Sequence, residues 1–502
     1  MRIRETAHPL LYEINTRIWV KEVAPHKKVP TLADVPDGAL DEIAGLGFDL
    51  VWLMGVWQTG AMGREHALQE PNLQRYKNIL PDLSSEDVLG SPYAVQEYRA
   101  AVPLGGAGAM ATFRRRLAER GVGLVLDFVP NHTAEDHPWI FSRPELYIQG
   151  DERSLQERPD DFFTAETCQG KKVIAHGRDP YFPPWSDTAQ LNYADPAARA
   201  AMTETLMEIA GQCDGVRCDM SMLMLEEVFA RTWDERARPA DGAAPTAGEF
   251  WTGAIGRVRE RYPEFVFIAE VYWNLESRLQ ALGFDYTYDK ALYDRLLSGS
   301  GAAVRRHLSA DGKFQQRAVR FLENHDERRA AEAFPGARHA AAAVISYTLP
   351  GMRFFYEGQL DGRKIQVPVQ LGRRPVEERD RAVREFYERL LAELRRSAMR
   401  RGKWRRLEAR SAWSDNGIWE QFVIQRWDGD EAGARLVAVN YGPHQAQCYV
   451  ALDFAALGKG LFLLRDLLTG VSYEREGSSL KDPGLYLDMA PYQAHLFSLE
   501  QL

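Results

Sequence analysis

Gly215-Val-Arg-Cys-Asp-Met220 is an apolar run that ends in a carboxylate with an arginine two positions before it. In an extended strand, residues i and i+2 share a face, so Arg217 and Asp219 stand side by side. A guanidinium beside a sheltered carboxylate keeps it ionised, and an ionised carboxylate is a nucleophile. One Arg-x-Asp taken alone reads as a salt bridge at a strand end. Recurrence changes that reading, because three further apolar runs close on polar groups: Gly123-Leu-Val-Leu-Asp-Phe-Val-Pro-Asn-His132, Phe265-Val-Phe-Ile-Ala-Glu270 and Val319-Arg-Phe-Leu-Glu-Asn-His-Asp326. Strands buried on both faces read as near-continuous apolar runs, and in a (β/α)8 barrel the reactive groups come from the C-terminal ends of several strands. Four such runs imply one shared rim.

These residues resemble, in order, the four sequence regions of the α-amylase superfamily, glycoside hydrolase family 13. The resemblance takes in Ser91-Pro-Tyr93-Ala-Val-Gln-Glu-Tyr98, Trp185-Ser-Asp-Thr-Ala-Gln-Leu-Asn-Tyr193 and Pro350-Gly-Met-Arg-Phe-Phe-Tyr356-Glu-Gly358, and so spans residues 10 to 360. It implies a (β/α)8 TIM barrel with a small inserted domain after the third strand and a C-terminal antiparallel β-sandwich. The expected division is 1–132 with 191–397 for the barrel, 133–190 for the insert and 398–502 for the sandwich.

Composition agrees with a soluble globular chain: 502 residues, 45% hydrophobic and 26% charged. A net charge of −9 offers no basic field for nucleic acid or anionic lipid, so neutral polar ligands are the expected partners. Cys168, Cys213, Cys218 and Cys448 have neither metal-ligand nor disulfide spacing and read as reduced thiols. The N-terminal residues carry no signal-like apolar core, and no segment is apolar for long enough to span a bilayer. A cytoplasmic location is the expectation.

Along the chain, Leu11 to Val20 is rich in β-forming residues and reads as the first strand. A helix from Ala39 to Leu46 stops at Gly47, and Trp57 to Pro92 reads as a long polar loop at the active face. Met110, Phe113 and Leu117 mark a helix ending before Gly121. Asp195-Pro196 starts another, carrying Met202, Leu206 and Ile209, and a third with Phe250, Ile255 and Val258 leads to Glu270. A short helix around Ala302 to Leu308, an Ala-rich helix from His339, a strand Met352 to Tyr356 and a final helix with Val383, Phe386, Leu390 and Leu394 complete about eight units. The basic run Arg395 to Arg405 reads as a solvated surface. Trp419 to Trp427 and Arg435 to Tyr441 form a hairpin across the turn Asp428 to Gly433, which opens the sandwich. That sandwich reads as structural, with a separate glycan site as its alternative.

Breaking a glycosidic bond requires a proton donor for the leaving oxygen and a negative group at the anomeric carbon; in retaining enzymes the two carboxyls stand about 5 to 5.5 Å apart. Neighbouring strands, about 4.8 Å apart, supply that separation from Asp219 and Glu270. Asp219 is thus the expected nucleophile and Glu270 the acid and base, with Tyr272 and Trp273 as low-dielectric walls raising its pKa. The resemblance adds Asp326 as the acid that holds the sugar hydroxyls, His132 and His325 as hydroxyl ligands, Tyr93 stacking beneath the sugar and Trp273 at the substrate. Arg217 keeps Asp219 charged, Asp127 orients Arg217, and Asn131 matches a calcium ligand of many relatives. Too few oxygens accompany Asn131, so no essential metal or other cofactor is expected, with calcium the alternative.

One departure is visible. Where many starch-degrading members have Ala-x-Lys-His after the nucleophile, this chain has Met220-Ser-Met-Leu-Met-Leu225. Met222 and Leu223 fit either an unusual leaving group or simple packing. The resemblance implies a retaining enzyme on α-1,4-glucan or malto-oligosaccharide. A glucosyltransferase or a maltose-converting isomerase, to which Asn324-His-Asp-Glu327 is also similar, and a non-catalytic sugar-binding protein are the alternatives. Oligomeric state is not legible.

Overall fold

The computed structural model describes residues 6–239, 247–396, 398–429, 433–453 and 460–502. Eight strands close into a barrel: β1 Leu10–Asn15, β2 Leu50–Met54, β3 Gly123–Phe128, β4 Gly215–Cys218, β5 Val266–Ala269, β6 Tyr286–Tyr288, β7 Ala318–Arg320 and β8 Met352–Tyr356. Each pairs in parallel with its sequence neighbours, and β8 closes on β1. Every residue of β2, β3, β4, β5 and β8 is buried, as the unbroken apolar runs require.

The helices follow their caps. Helix Asp37–Leu46 ends at Gly47, whose φ of 91° lies in the left-handed region that glycine adopts without steric cost. Helix Pro196–Ala210 begins where the Asp195 carboxylate accepts from the Ala197 N–H at 2.8 Å, with Pro196 at the first helical position. Helices Gly106–Glu119, Phe250–Arg261, Gly301–His307, Ala337–Tyr347 and Arg381–Arg396 occupy the expected stretches.

Two expectations fail locally. The first strand stops at Asn15, and Thr16–Val23 is a helix whose Ile18, Trp19 and Val20 are buried. Residues with high β propensity follow tertiary packing there, since that propensity chiefly measures fit to a pleated surface. Residues 57–92 are not a plain loop: Trp57–Thr59 pairs antiparallel with Val95–Ala100, and two short helices follow, Ala61–Ala67 and Asn72–Ile79. Their few apolar residues build a small core of Ala67, Tyr76, Leu80 and Val88 with Leu371 from the loop after β8.

Between β3 and helix Pro196–Ala210, His132–Ala134 pairs antiparallel with Thr188–Gln190, and Gln149–Gly150, Gly170–Ala175 and Phe162–Thr167 make a three-stranded sheet. The C-terminal region has a six-stranded and a three-stranded antiparallel sheet. Alternation sorts the faces. Phe422, Ile424, Leu436 and Ala438 join Ala446, Cys448, Leu485 and Leu487 in the core between the sheets, whereas Val423, Trp427, Val437 and Val439 belong to the barrel's core. Trp427 Nε1 donates to the Thr348 carbonyl at 2.7 Å, fixing this face to the barrel. The expected hairpin is present with Phe422 opposite Asn440, although turn residues 430–432 lie outside the described residues.

The basic run is not simply solvated, and Ser397 within it lies outside the described residues. Arg400 pairs with buried Asp49, Nη1 to Oδ2 at 2.9 Å, and Arg395 donates to the Gly45 carbonyl, so these cations tie the chain to the N-terminal end of the barrel. The four cysteines are unpaired, only Cys168 being exposed. Among the described residues no helix is long and apolar enough to cross a membrane.

Candidate active site

Register brings the two principal acids together. Cys218 on β4 is level with Ala269 on β5, so Asp219 and Glu270 are the next residues off adjacent strand ends. One guanidinium joins them: Arg217 Nη1 lies 2.7 Å from Asp219 Oδ1 and Nη2 lies 2.8 Å from Glu270 Oε2. Arg217 is 1% exposed and its Nη1 also reaches Asp127 Oδ1 at 3.4 Å. Asp127 is held from behind, since the Trp52 indole donates to its Oδ2 at 3.1 Å and the Trp57 indole to its carbonyl at 2.8 Å. Rings of Trp52 and Tyr93 flank the guanidinium, 5.1 and 5.4 Å from its carbon.

Glu270 is fully engaged. The Met220 N–H donates to Oε2 at 2.7 Å and the Tyr272 hydroxyl to Oε1 at 2.7 Å. Tyr272 is therefore a polar partner of Glu270 and not only the low-dielectric wall expected of it. Trp273 sets its ring edge-on to Tyr181 at 4.9 Å and lines the neighbouring cavity. Met220, Trp273 and Asn274 have φ of 42°, 64° and 61°. Such left-handed conformations are costly for side-chain-bearing residues and gather at functional sites.

The third acid arrives from the chain beyond β7. Asp326 Oδ2 lies 3.1 Å from His325 Nε2, which is also 2.8 Å from the Tyr93 hydroxyl. The other nitrogen, Nδ1, is 2.5 Å from Glu13 Oε1 on β1. The Asp326 side chain remains 53% exposed because it opens into the cleft. Asp219, Glu270, Asp326, Tyr93 and His132 line one cavity of about 310 Å³, with Trp185, Asp187 and Gln370 at its wall. Met220 and Tyr272 are shared with a second cavity of about 450 Å³ that holds Trp273, Asn274, Glu276 and Lys290.

Electrostatics follow from burial. It pushes the Asp219 and Glu270 carboxyls up, Arg217 opposes it at both, and the charges of Asp219 and Asp326 add to the rise at Glu270. Burial lifts Asp127 to about 7 against the pull of Arg217. At Asp326 partial loss of solvent pushes upward, but the adjacent charge of His325 outweighs it and the pKa falls below the ordinary carboxylate value. Burial lowers His132 to about 4, leaving a neutral ring near pH 7. The Asn131 amide nitrogen is 3.3 Å from its Nδ1, and its Nε2 has no hydrogen-bond partner among the described residues.

The Asn131 side chain is engaged within the protein. Its Oδ1 accepts from Gln190 Nε2 at 3.1 Å and its Nδ2 donates to Gln190 Oε1 at 3.1 Å, a paired amide that pins both ends of the insert. Among the described residues no three His, Cys, Asp or Glu side chains converge as metal ligands would. Met222 and Leu223 are buried at 0% and 2% in a 3-10 turn, so packing, not a leaving group, accounts for them. Sequence reasoning missed Trp52, Glu13, Asp187 and Gln370. Only Glu13 left a signal, as an acid inside the apolar run Leu10–Ile14.

Known proteins resemble this chain in sequence and in fold. The chain is 24% identical over 366 residues to α-amylase MalA of Haloarcula japonica, covering 71% of this chain and 44% of that protein. It is 24% identical over 473 residues to an α-1,4-glucan:maltose-1-phosphate maltosyltransferase of Rhodospirillum rubrum, covering 88% of this chain and 59% of that one. It thus spans about half the length of these relatives. The crystal structure of a noncanonic maltogenic α-amylase, AmyB of Thermotoga neapolitana, superposes with a TM-score of 0.66 at 18% identity over 100% of both chains, and an acarbose-complexed α-amylase of Geobacillus thermoleovorans with 0.63 at 16% over 98% of each. A family model for the α-amylase catalytic domain matches residues 37–293, half of the chain, with β2 to β6, Asp219 and Glu270 inside the match. The protein belongs to the α-amylase family, glycoside hydrolase family 13.

Proposed function

We propose that the chain is a retaining glycosidase of α-linked glucans that works through a covalent glycosyl-aspartate. The observation that carries this is the bridging of Asp219 and Glu270 by the two ends of one buried guanidinium. Asp219 uses Oδ1 to hold Arg217, which leaves Oδ2 to attack the anomeric carbon of a sugar in the cavity. Glu270 gives its proton to the leaving oxygen and then, as carboxylate, takes one from the incoming water. The Tyr272 hydroxyl suits both stages because an O–H donates to the ionised form and accepts from the protonated one. Asp326, backed by His325, holds sugar hydroxyls, neutral His132 offers Nε2 to another, and Tyr93 and Trp273 supply ring faces.

A second reading, transfer of the glycosyl unit to a sugar hydroxyl, shares every step up to the intermediate. The likeness to a protein named as a maltosyltransferase favours it, while the missing Lys-His pair beside Asp219 puts a starch-type acceptor side in doubt. A non-catalytic sugar-binding role is disfavoured because all three acids meet at one cavity.

Proton NMR of products from maltose, maltotriose, soluble starch and trehalose tests the reading. The first product should keep the α configuration, and Asp219→Asn should stop turnover while sugar binding persists. A β product from the wild type, or an active Asp219→Asn, overturns it. The ratio of free glucose to new glucosides separates hydrolysis from transfer.

A further inference from the structure

Glu13 is 0% exposed in the interior of the barrel, in the middle of an apolar strand. A buried carboxylate is costly even when paired, and an apolar pair of the same shape is commonly neutral or better. The single hydrogen-bond partner of its carboxylate among the described residues is His325, Oε1 to Nδ1 at 2.5 Å, while Oε2 is buried without a hydrogen bond. The far side of the imidazole faces the cleft, with Nε2 2.8 Å from the Tyr93 hydroxyl and 3.1 Å from Asp326. Trp52 stands edge-on to the ring at 5.6 Å and Tyr93 stacks on it at 5.4 Å.

We propose that Glu13 is a positioning residue for the reaction, holding His325 in its doubly protonated form, whose charge 3.1 Å from Asp326 keeps that acid ionised and aimed at the sugar. This rests on the glycosidase reading above and adds a residue to it. Groups around the ring agree in sign: Glu13 from β1, Asp127 and Asp219 from the ends of β3 and β4, and Asp326 beside it all favour the cation, Tyr93 supplies a hydroxyl, and Arg217 is the opposing charge. Burial by itself lowers His325, yet Asp326 and Glu13 lift it well above its ordinary value. Burial pushes Glu13 above its ordinary value and His325 offsets part of that rise. A histidine raised in this way is charged at low pH and loses its proton only as pH rises through the elevated value. Removing the Glu13 charge brings that loss to lower pH, by about one to three units for a neighbour this close.

The test is histidine C2-hydrogen exchange followed by mass spectrometry on the intact protein, wild type and Glu13→Gln, with kcat/KM measured from pH 5 to 9. In the wild type His325 should remain charged well above the pH at which an ordinary imidazole loses its proton. In Glu13→Gln its midpoint should fall by at least one unit, and the wild-type to variant ratio of kcat/KM should grow with pH. Glu13→Asp should recover part of both. A wild-type His325 midpoint near the ordinary value of about 6.5 overturns the proposal even if no variant folds, and so does a pH-independent ratio. An active Asp219→Asn would instead remove the glycosidase reading while the wild-type His325 titration still stands.

Discussion

Arg217→Lys keeps a positive charge yet should cost most of the activity, because the site uses Arg217 as a two-ended clamp. Its Nη1 and Nη2 reach Asp219 and Glu270 at 2.7 and 2.8 Å, and Nη1 also reaches Asp127. A single ammonium on a flexible stem cannot span both carboxylates in the plane the guanidinium sets. Loss of one charge-assisted hydrogen bond is worth about 1.5 to 3 kcal/mol, which corresponds to roughly ten- to a hundredfold in kcat/KM. Arg217→Met removes the hydrogen bonds to Asp219 and Asp127 and the ion pair with Glu270, leaving three buried acids without their cation, at about 3 to 5 kcal/mol of stability. Because Arg217 lowers the pKa of both Asp219 and Glu270, its removal lets both rise. The nucleophile must be ionised, so the acid limb of kcat/KM moves to higher pH. The acid must be protonated, so the alkaline limb moves the same way. Steady-state rates on maltotriose from pH 4 to 9, beside thermal melts, read all of this. A Lys variant within threefold of wild type, or a Met variant with lower Tm and unmoved limbs, refutes the clamp.

Other expectations are more local. Asp326→Asn should lower kcat far more than it lowers thermal stability, since the side chain opens to the cleft and binds His325 without core packing; equal losses would make it structural. Gly351 sits at φ +105°, and a methyl group on its Cα would overlap the Ala318 carbonyl oxygen, so Gly351→Ala should destabilise far beyond the roughly 1 to 2 kcal/mol expected of Gly121→Ala, which has φ +73° and open space around it. Urea unfolding of the two variants checks the order. Prolonged chelator treatment should leave activity and Tm unchanged, because the Asn131 oxygen is already taken by Gln190. A Tm drop restored by calcium would count against that assignment.

The barrel was legible because its strands are buried on both faces and say so by composition: Leu50–Met54, Gly215–Cys218 and Met352–Tyr356 have no polar residue that the core does not absorb. Arg217, Asp219 and Glu270 were legible because each terminates or interrupts such a run. What sequence could not give is long-range partnership. Glu13 and His325 are 312 residues apart, and Trp52 reaches Asp127 on the adjacent strand, 75 residues further on. Tyr272 was read for its ring, whereas its hydroxyl decides its place beside Glu270. The helices at 61–67 and 72–79 escaped notice because each buries so little, and they are stabilised instead by Leu371 from the loop after β8. Likewise Arg400 reads as surface charge until Asp49 is found beneath it.

In a retaining reaction on this site the Asp219 carboxylate bonds to the anomeric carbon. Brief incubation with a fluorinated glucosyl fluoride that slows breakdown of the intermediate, followed by peptide mapping, tests it. A single sugar adduct on the peptide containing Asp219 is predicted, absent in Asp219→Asn. An adduct on Glu270 or Asp326, or ready turnover with no adduct and an inverted product, would contradict it.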